Sequence, residues 1–287
     1  MRQLWKHARG VLAGGLGLLA LGASAGAEPG LQVVTSVLPL TWLVQEVGGA
    51  RVAAITLVPP GAAPHTFEPR PSDMRRLSGA SLFVRAGGGF DDWSEALASA
   101  GSVPVRSLVG PEDEPHAWLD PIRVRDSLAP RIAEWLVALD GDGRAHYAAA
   151  LADFQRRLTS LDAEIRRDLG RAPGRAYVAY HGAWRSFAAR YGLREIGVIE
   201  KRPGQEPSPR ELARLVDAAR DAGVGAILVE PQLDPRTARV IADEFAGETV
   251  LVDPLGDPED RERASYESLL RFDARAFARA LGAPSDE

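Results

Sequence analysis

The sequence of 287 residues contains no cysteine. This absence excludes disulfide bonds and metal sites with thiolate ligands. It also removes the residue to which a bacterial lipoprotein attaches its lipid, so we expect a protein that is not a lipoprotein. Any metal ion bound by this chain must therefore be held by nitrogen and oxygen ligands.

An excess of basic charge is absent as well. The chain has 34 lysines and arginines against 39 aspartates and glutamates, a formal net charge of -5. No stripe of basic residues that would suit nucleic acid is present, and no apolar run after residue 27 is long enough to cross a membrane. We therefore expect no nucleic-acid partner. The hydrophobic content of 45% is that of an ordinary globular protein.

The first residues have the pattern of a secretory signal. Basic residues precede an apolar stretch from Val11 to Leu21, which is too short to span a bilayer comfortably. Small residues follow, and we place the cleavage site after Ala27. Residues 1–27 are therefore predicted to be a cleavable signal peptide, with a retained membrane anchor as the less favoured interpretation. The mature protein is expected in the periplasm.

Short β-branched runs alternate with helical patterns in the first part of the chain. The pattern predicts strands over residues 31–37, 52–58 and 82–85, and a helix over 40–47 that ends at Gly48-Gly49. Alternation of this kind is typical of βαβ units built around a parallel sheet.

The second part of the chain repeats the scheme. The predicted strands cover residues 176–179, 196–199, 226–229 and 249–252. Between them, Ser208 is predicted to cap a helix, with Pro209 in its first turn and Glu211 in the capping-box position.

A stretch without proline or glycine, residues 144–169, lies between the two parts. Its apolar residues recur every three or four positions, as in one amphipathic helix: Tyr147, Leu151, Phe154, Leu158, Leu161 and Ile165. At 1.5 Å per residue this helix would be about 39 Å long, the width of a domain.

These patterns predict an α/β fold with two lobes, each with a parallel β-sheet flanked by helices, joined by one long rigid helix. We place the first lobe at residues 28–140, the linking helix at 141–171 and the second lobe at 172–287.

Three of the five histidines lie at the edges of apolar runs, next to turn-forming residues: His65, His116 and His181. Ligands of open parallel sheets bind beyond the carboxyl ends of the strands. His181 directly follows a predicted strand, His65 comes a few residues after another, and His116 lies in a proline-flanked loop. Imidazole is a common ligand of zinc. The intervals of about fifty and sixty-five residues exclude a local site, so only a fold that gathers distant loops would unite the three side chains.

Acidic residues at strand ends are candidates for a fourth ligand. Asp253 follows one predicted strand directly, and Glu230 follows another in the same way and is the less favoured alternative. Three nitrogens and one carboxylate suit tetrahedral Zn²⁺, whereas more oxygen ligands would favour Mn²⁺. The remaining candidate, His146, is interpreted as a surface residue of the long helix.

At these residues the sequence resembles a known family, the metal-binding solute-binding proteins of bacterial zinc and manganese ABC importers, or ZnuA/TroA-like proteins. The motifs that carry the resemblance are Val33-Val34-Thr35-Ser36-Val37, Val47-Gly48-Gly49, His65-Thr66-Phe67-Glu68-Pro69, Pro71-Ser72-Asp73, Trp93, His116-Ala117-Trp118-Leu119-Asp120-Pro121, His181, Tyr191-Gly192-Leu193, Glu206-Pro207-Ser208-Pro209, Val229-Glu230-Pro231-Gln232 and Asp253-Pro254-Leu255-Gly256.

The resemblance implies a metal ion in the cleft between the lobes, bound by His65, His116, His181 and, at the matching acidic position, Asp253. Manganese-type members tend to carry glutamate where this chain has His181, so zinc is favoured. The implied function is high-affinity capture of Zn²⁺ in the periplasm and its delivery to an ABC-type permease. The ion is transported cargo, and we expect a monomer that is not an enzyme.

Two alternatives remain at this point. One is a Mn²⁺-type protein of the same family. The other is a secreted zinc hydrolase, in which three histidines and a water would surround the metal. The sequence lacks the His-Glu-x-x-His pattern of zinc proteases, which disfavours the hydrolase.

Overall fold

The computed structural model describes residues 30–101, 103–201, 205 and 207–284. The predicted signal peptide, residues 1–27, lies outside them. Among the helices of this described part, none combines the length and the apolar character that crossing a bilayer requires.

The first lobe is built on a sheet of four parallel strands in the order β2-β1-β3-β4. These strands are β1 (Leu31–Thr35), β2 (Val52–Thr56), β3 (Leu82–Arg85) and β4 (Val105–Ser107). The first three helices are α1 (Leu38–Gly48), α2 (Pro71–Leu77) and α3 (Ser94–Gly101). α1 has proline in its first turn and ends at Gly49, whose positive φ of 53° suits glycine.

The chain then leaves the sheet through a helical segment that contains one π turn. It consists of α4 (Pro121–Arg123), the π turn Val124–Leu128 and α5 (Ala129–Leu139). Asp120 caps its start by accepting hydrogen bonds from the backbone N–H groups of Ile122 and Arg123.

The predicted long helix is confirmed as α6 (Arg144–Gly170), which has 27 residues. Its buried face consists of Tyr147, Phe154, Leu158, Leu161, Ile165 and Leu169, each at most 2% exposed. His146 lies on its exposed side, as expected. The lobe boundaries at residues 140 and 171 stay a prediction.

The second lobe repeats the architecture of the first, with strand order β6-β5-β7-β8 and all neighbours parallel. Its strands are β5 (Ala176–His181), β6 (Arg194–Glu200), β7 (Ala226–Val229) and β8 (Glu248–Leu251). Its helices are α7 (Arg185–Tyr191), α8 (Pro209–Asp221), α9 (Arg236–Glu244) and α10 (Tyr266–Ala280). The capping box at Ser208 and Glu211 is present as predicted.

The lobes share one hydrophobic core. A continuous cluster of buried side chains runs from β1 and α1 through α6 to β5 and α10. At its centre Trp118, from the first lobe, donates a hydrogen bond from Nε1 to the carbonyl of Pro254 over 2.8 Å. The carbonyl of Trp118 in turn accepts from the hydroxyl of Tyr266 over 2.6 Å.

Charged side chains brace the same junction on its outer side. Arg157 on α6 contacts Glu46 on α1 and Glu267 on α10, so one guanidinium binds to helices of both lobes. The shared core and this brace fix the carboxyl ends of the two sheets relative to each other, on either side of a cleft.

Candidate metal centre

His65 is presented by a rigid turn beyond β2. The short 3₁₀ turn Pro64–Thr66 carries it, and the carbonyl of Pro64 accepts a hydrogen bond from Trp93 Nε1 over 2.9 Å. The imidazole packs edge-on against Phe90, with ring centroids 4.6 Å apart. Its Nε2 atom is buried and has no hydrogen-bond partner. Such a buried nitrogen calls for an explanation, and a ligand is one.

His116 is the most buried of the three candidate histidines, only 3% exposed. It precedes the 3₁₀ turn Ala117–Leu119, and its ring lies against Phe90 and Trp118. Its Nδ1 lies 3.2 Å from a carboxylate oxygen of Glu114. A carboxylate at this position favours the tautomer with the proton on Nδ1, which leaves the Nε2 lone pair available to a metal.

His181 is the last residue of β5, at the carboxyl end of the second sheet. Its Nδ1 lies 3.2 Å from each carboxylate oxygen of Glu230, which follows β7 directly and is 6% exposed. The arrangement matches that of His116 and Glu114. The carboxylate of Glu114 comes from the same loop as its histidine, and that of Glu230 comes from the end of a neighbouring strand. In both pairs the carboxylate orients the imidazole, and Nε2 remains free to act as a ligand.

The fold brings these three histidines together. One nitrogen of each lies within 4.8 Å of a nitrogen of the other two, and the ring centroids are 5.1 to 5.6 Å apart. Around a tetrahedral zinc with Zn–N bonds of 2.0–2.1 Å, ligand nitrogens lie about 3.4 Å apart. Small side-chain adjustments therefore suffice to close the three imidazoles on one ion.

Burial and neighbouring charges set the protonation of the cluster. Burial, together with the nearby charges of His116 and His181, lowers the pKa of His65 to about 3. Burial also lowers the pKa of His116, although Glu114 acts in the opposite direction. For His181 burial acts to lower the pKa, but the hydrogen bond and charge of Glu230 outweigh it and the pKa is raised. Of the three, His181 is therefore the first to gain a proton as the pH falls.

The affinity for metal is expected to fall in acid, at first because one proton competes with the metal for one imidazole. An imidazole must be neutral to bind a metal, and His181, with a pKa above its ordinary value, gains its proton earliest. The decline should therefore begin above about pH 6.5, the ordinary imidazole value, and reach roughly tenfold per pH unit. Calorimetric titration with Zn²⁺ between about pH 8 and pH 5 measures the slope. A constant affinity down to about pH 5 would contradict three histidine ligands.

The predicted fourth ligand, Asp253, is paired with an arginine in this structure. Asp253 follows β8 at the same edge of the sheet, but among the described residues the cluster of metal-binding donor atoms contains the histidines alone. One oxygen of Asp253 accepts from Arg263 over 2.6 Å. The other accepts from the backbone N–H of Leu255 and from Gln232. Its assignment as a metal ligand stays a prediction, as does the alternative of Glu230.

Glu114 and Arg263 were not predicted from the sequence as site residues. A weak signal existed for Glu114, which stands two residues before His116 in a loop flanked by prolines. Nothing in the sequence marks Arg263, because nine residues of irregular loop lie between it and Asp253. Only the folded loop shows that its guanidinium reaches the carboxylate.

A cleft of about 290 Å³ opens above the histidines between the two lobes. The first lobe contributes Phe90 and the turn at His65, and the second contributes acidic side chains, among them Glu200 and Glu230. Carboxylates beside an open cleft raise the local concentration of cations. The cleft therefore gives a metal ion a path to the three imidazoles.

The chain is similar both to proteins named for zinc uptake and to proteins named for manganese binding. The "Manganese-binding lipoprotein MntA" of Halalkalibacterium halodurans is 28% identical, over 94% of this chain and 95% of its own length. The "High-affinity zinc uptake system protein ZnuA" of Paracoccus denitrificans is also 28% identical, over 95% of this chain and 98% of its own length. The chain is similar to both at nearly full length.

A solved structure has the same fold. A protein described as "Crystal structure of ZnuA" superposes with a TM-score of 0.78 and 32% sequence identity, covering 88% of this chain and 99% of that one. The two-lobe α/β architecture predicted from the sequence is thereby confirmed.

The relatives correct one prediction. The expectation of a protein that is not a lipoprotein is wrong, because MntA and streptococcal relatives are named as lipoproteins, which are anchored to a membrane. Export from the cytoplasm is consistent with the relatives.

The match to a family profile covers most of the chain. The profile is described as "ZnuA: Zinc-uptake complex component A periplasmic", and it matches residues 33–280, which include both sheets, the long helix and all three clustered histidines. The chain belongs to the ZnuA family.

Proposed function

We propose that this protein captures Zn²⁺ outside the cytoplasm and delivers it to the membrane permease of an ABC importer. The observation that carries the proposal is the convergence of His65, His116 and His181 from both lobes, with nitrogens within 4.8 Å of one another. The buried Nε2 of His65 adds to it, since this nitrogen has no hydrogen-bond partner within the protein. A bound ion would supply one.

Asp253 is our proposed fourth ligand. Its carboxylate would turn from Arg263 towards the imidazoles when the ion arrives, and so complete a tetrahedral set of three nitrogens and one oxygen. Glu230 is better suited to another role. Both of its oxygens lie 3.2 Å from His181 Nδ1, where they orient the ring towards the ion.

Zinc is proposed over manganese because nitrogen ligands dominate the cluster. Imidazole suits zinc, whereas manganese favours carboxylate, carbonyl and water oxygens. His181 is the deciding residue, since a glutamate there would replace a nitrogen ligand by an oxygen. The relatives carry both names, so the alternative is a manganese-binding protein of the same family.

The proposed action is reversible binding, in which no covalent bond is made or broken. The ion is cargo, and the partner is the permease subunit of the importer. We further propose that the chain acts as a monomer and that its lobes are residues 28–140 and 172–287, joined through residues 141–171. The shared core and the Arg157 brace support a stiff junction between the lobes.

Removing the carboxylate behind His116 is expected to weaken the site without removing a ligand. In Glu114→Ala the imidazole loses the partner of its Nδ1, and loss of such partners typically lowers metal affinity about 10- to 100-fold. Competition titration of Zn²⁺ against a chelating dye measures the change. Glu112→Ala is the matched control, because it removes the same charge from an exposed position in the same loop. Equal affinities for the two variants would contradict the role of Glu114.

Metal analysis of protein isolated from its native cell envelope tests the proposed cargo. Because a histidine-rich site also binds Co²⁺, Ni²⁺ and Cu²⁺ in vitro, affinity alone does not identify the physiological ion. We expect zinc at one equivalent. Manganese without zinc in that preparation would overturn the choice of zinc.

A further inference from the structure

The carboxylate of Asp253 is buried and has partners on both oxygens. The residue is 1% exposed. Oδ2 accepts a charge-assisted hydrogen bond from Arg263 Nη1 over 2.6 Å. Oδ1 accepts from the backbone N–H of Leu255 over 3.0 Å and from Gln232 Nε2 over 3.2 Å. A carboxylate with these partners is already well stabilised before any ion arrives.

Arg263 is itself fixed in place. Its Nε and Nη2 donate to one oxygen of Asp260 over 3.0 and 2.7 Å. The guanidinium lies over the ring of Phe272, 5.4 Å from its centroid, and the side chain is only 13% exposed. The planar fork thus contacts two carboxylates at once, which a lysine could not reproduce.

The loop between β8 and α10 is closed tightly enough to hold this geometry. The backbone N–H of Asp257 donates to the carbonyl of Arg263 over 3.1 Å. Gly256 has φ 78°, and a Cβ there would lie 2.8 Å from the Arg263 carbonyl oxygen and 2.4 Å from Trp42. The backbone N–H of Asp253 donates to Asp273 over 2.7 Å. The backbone on both sides of the Asp253 carboxylate is therefore anchored.

We propose that Arg263 is a specificity-determining residue of the metal site, which discriminates against Mn²⁺ by holding the Asp253 carboxylate. An ion entering the cleft meets three imidazoles first and gains the carboxylate only by displacing the guanidinium. Zn²⁺ obtains most of its binding from the three nitrogens, whereas Mn²⁺ depends on carboxylate oxygen. Zn²⁺ keeps its three nitrogens even where Asp253 stays paired with Arg263, so its loss is limited to the share of the affinity that the carboxylate adds. Mn²⁺ bears the full cost of breaking the ion pair, because it depends on that carboxylate. This inference rests on the proposed function.

The test compares dissociation constants for Zn²⁺ and Mn²⁺ in the wild type and in Arg263→Gln. We expect the Mn²⁺ constant to fall at least about tenfold relative to the Zn²⁺ constant when the guanidinium is removed. Arg275→Gln is the matched control, since Arg275 pairs with Glu262 near the same loop but is 54% exposed. Its ratio of Mn²⁺ to Zn²⁺ dissociation constants should equal that of the wild type. Arg263→Lys keeps the charge and loses the fork, so an intermediate ratio is expected.

The double variant Arg263→Gln with Asp253→Asn shows whether the effect passes through the carboxylate. It leaves no unpaired charge from this ion pair, and the gain in Mn²⁺ binding should vanish in it. Thermal unfolding of the metal-free proteins checks that each is folded; if Arg263→Gln is not, Arg263→Lys decides. If a folded Arg263 variant still binds Zn²⁺ and its ratio of Mn²⁺ to Zn²⁺ dissociation constants is unchanged, the inference about Arg263 is wrong and the proposed function stands. A wild type that binds neither ion overturns the proposed function.

Discussion

Replacing His181 with alanine is expected to lower the affinity for Zn²⁺ by more than about 100-fold, beyond what loss of an outer partner of a ligand causes. The variant loses one of three nitrogens that the fold brings within 4.8 Å. It also leaves Glu230, 6% exposed, without the imidazole that it contacts. Two nitrogens from the first lobe alone then remain, so the second lobe no longer contributes a histidine. Calorimetric titration at about pH 8, where protons compete less with the metal for the imidazoles than at lower pH, measures the effect.

His146→Ala provides the control for this substitution. It removes a histidine of the same chain that lies on the exposed side of α6, where its Nε2 contacts the carbonyl of Gly48. Zinc affinity in this variant should equal that of the wild type. If His181→Ala binds zinc as tightly as His146→Ala does, the ion is bound elsewhere.

Replacing Trp118 with alanine is expected to destabilise the protein by about 3–5 kcal/mol, the usual loss for a large buried aromatic side chain. The side chain is 1% exposed and contacts both lobes. Its removal leaves the Pro254 carbonyl without the hydrogen bond from Nε1, which adds about 1–3 kcal/mol if no water replaces it. The neighbouring His116 also loses a packing partner, its ring centroid being 5.3 Å from that of Trp118. Zinc affinity should therefore fall together with stability.

Denaturant unfolding of the metal-free protein measures this loss. Trp118→Phe retains most of the packing and removes only the hydrogen bond, so a smaller destabilisation is expected. Trp135→Ala serves as a control, because this tryptophan is only partly buried, on α5. An unfolding midpoint for Trp118→Ala equal to that of Trp135→Ala would contradict the role of Trp118 in joining the lobes.

Much of the fold follows from local patterns in the sequence. β3 and β7 have the bounds predicted for them, and α6 lies within the predicted linking segment 141–171, one residue longer than the stretch 144–169 without proline or glycine. Its apolar residues recur at helical spacing over about five turns, from Tyr147 to Ile165, which leaves little ambiguity. β4 was not predicted, since three residues give no usable alternation. The last helix, α10, was also not predicted, although its apolar residues contact α6 as one face.

The candidate site could be predicted in part, because parallel sheets gather strand ends at one edge. That rule brought together His65 and His181, and the fold adds His116 to them. The state of Asp253 could not be predicted in the same way. A carboxylate at a strand end has the same sequence signature whether it faces a metal ion or a guanidinium. The difference depends on the path of the loop through Gly256 to Arg263, which no periodic pattern encodes.

Crystals of the zinc-loaded protein, measured on both sides of the zinc absorption edge, test the central claim most directly. We expect one strong anomalous peak in the cleft between the lobes, about 2.0–2.1 Å from Nε2 of His65, His116 and His181. The carboxylates of Glu114 and Glu230 should remain on the Nδ1 side of their imidazoles. A principal peak outside the cleft, or one that lacks His181 among its ligands, would contradict zinc binding between the lobes.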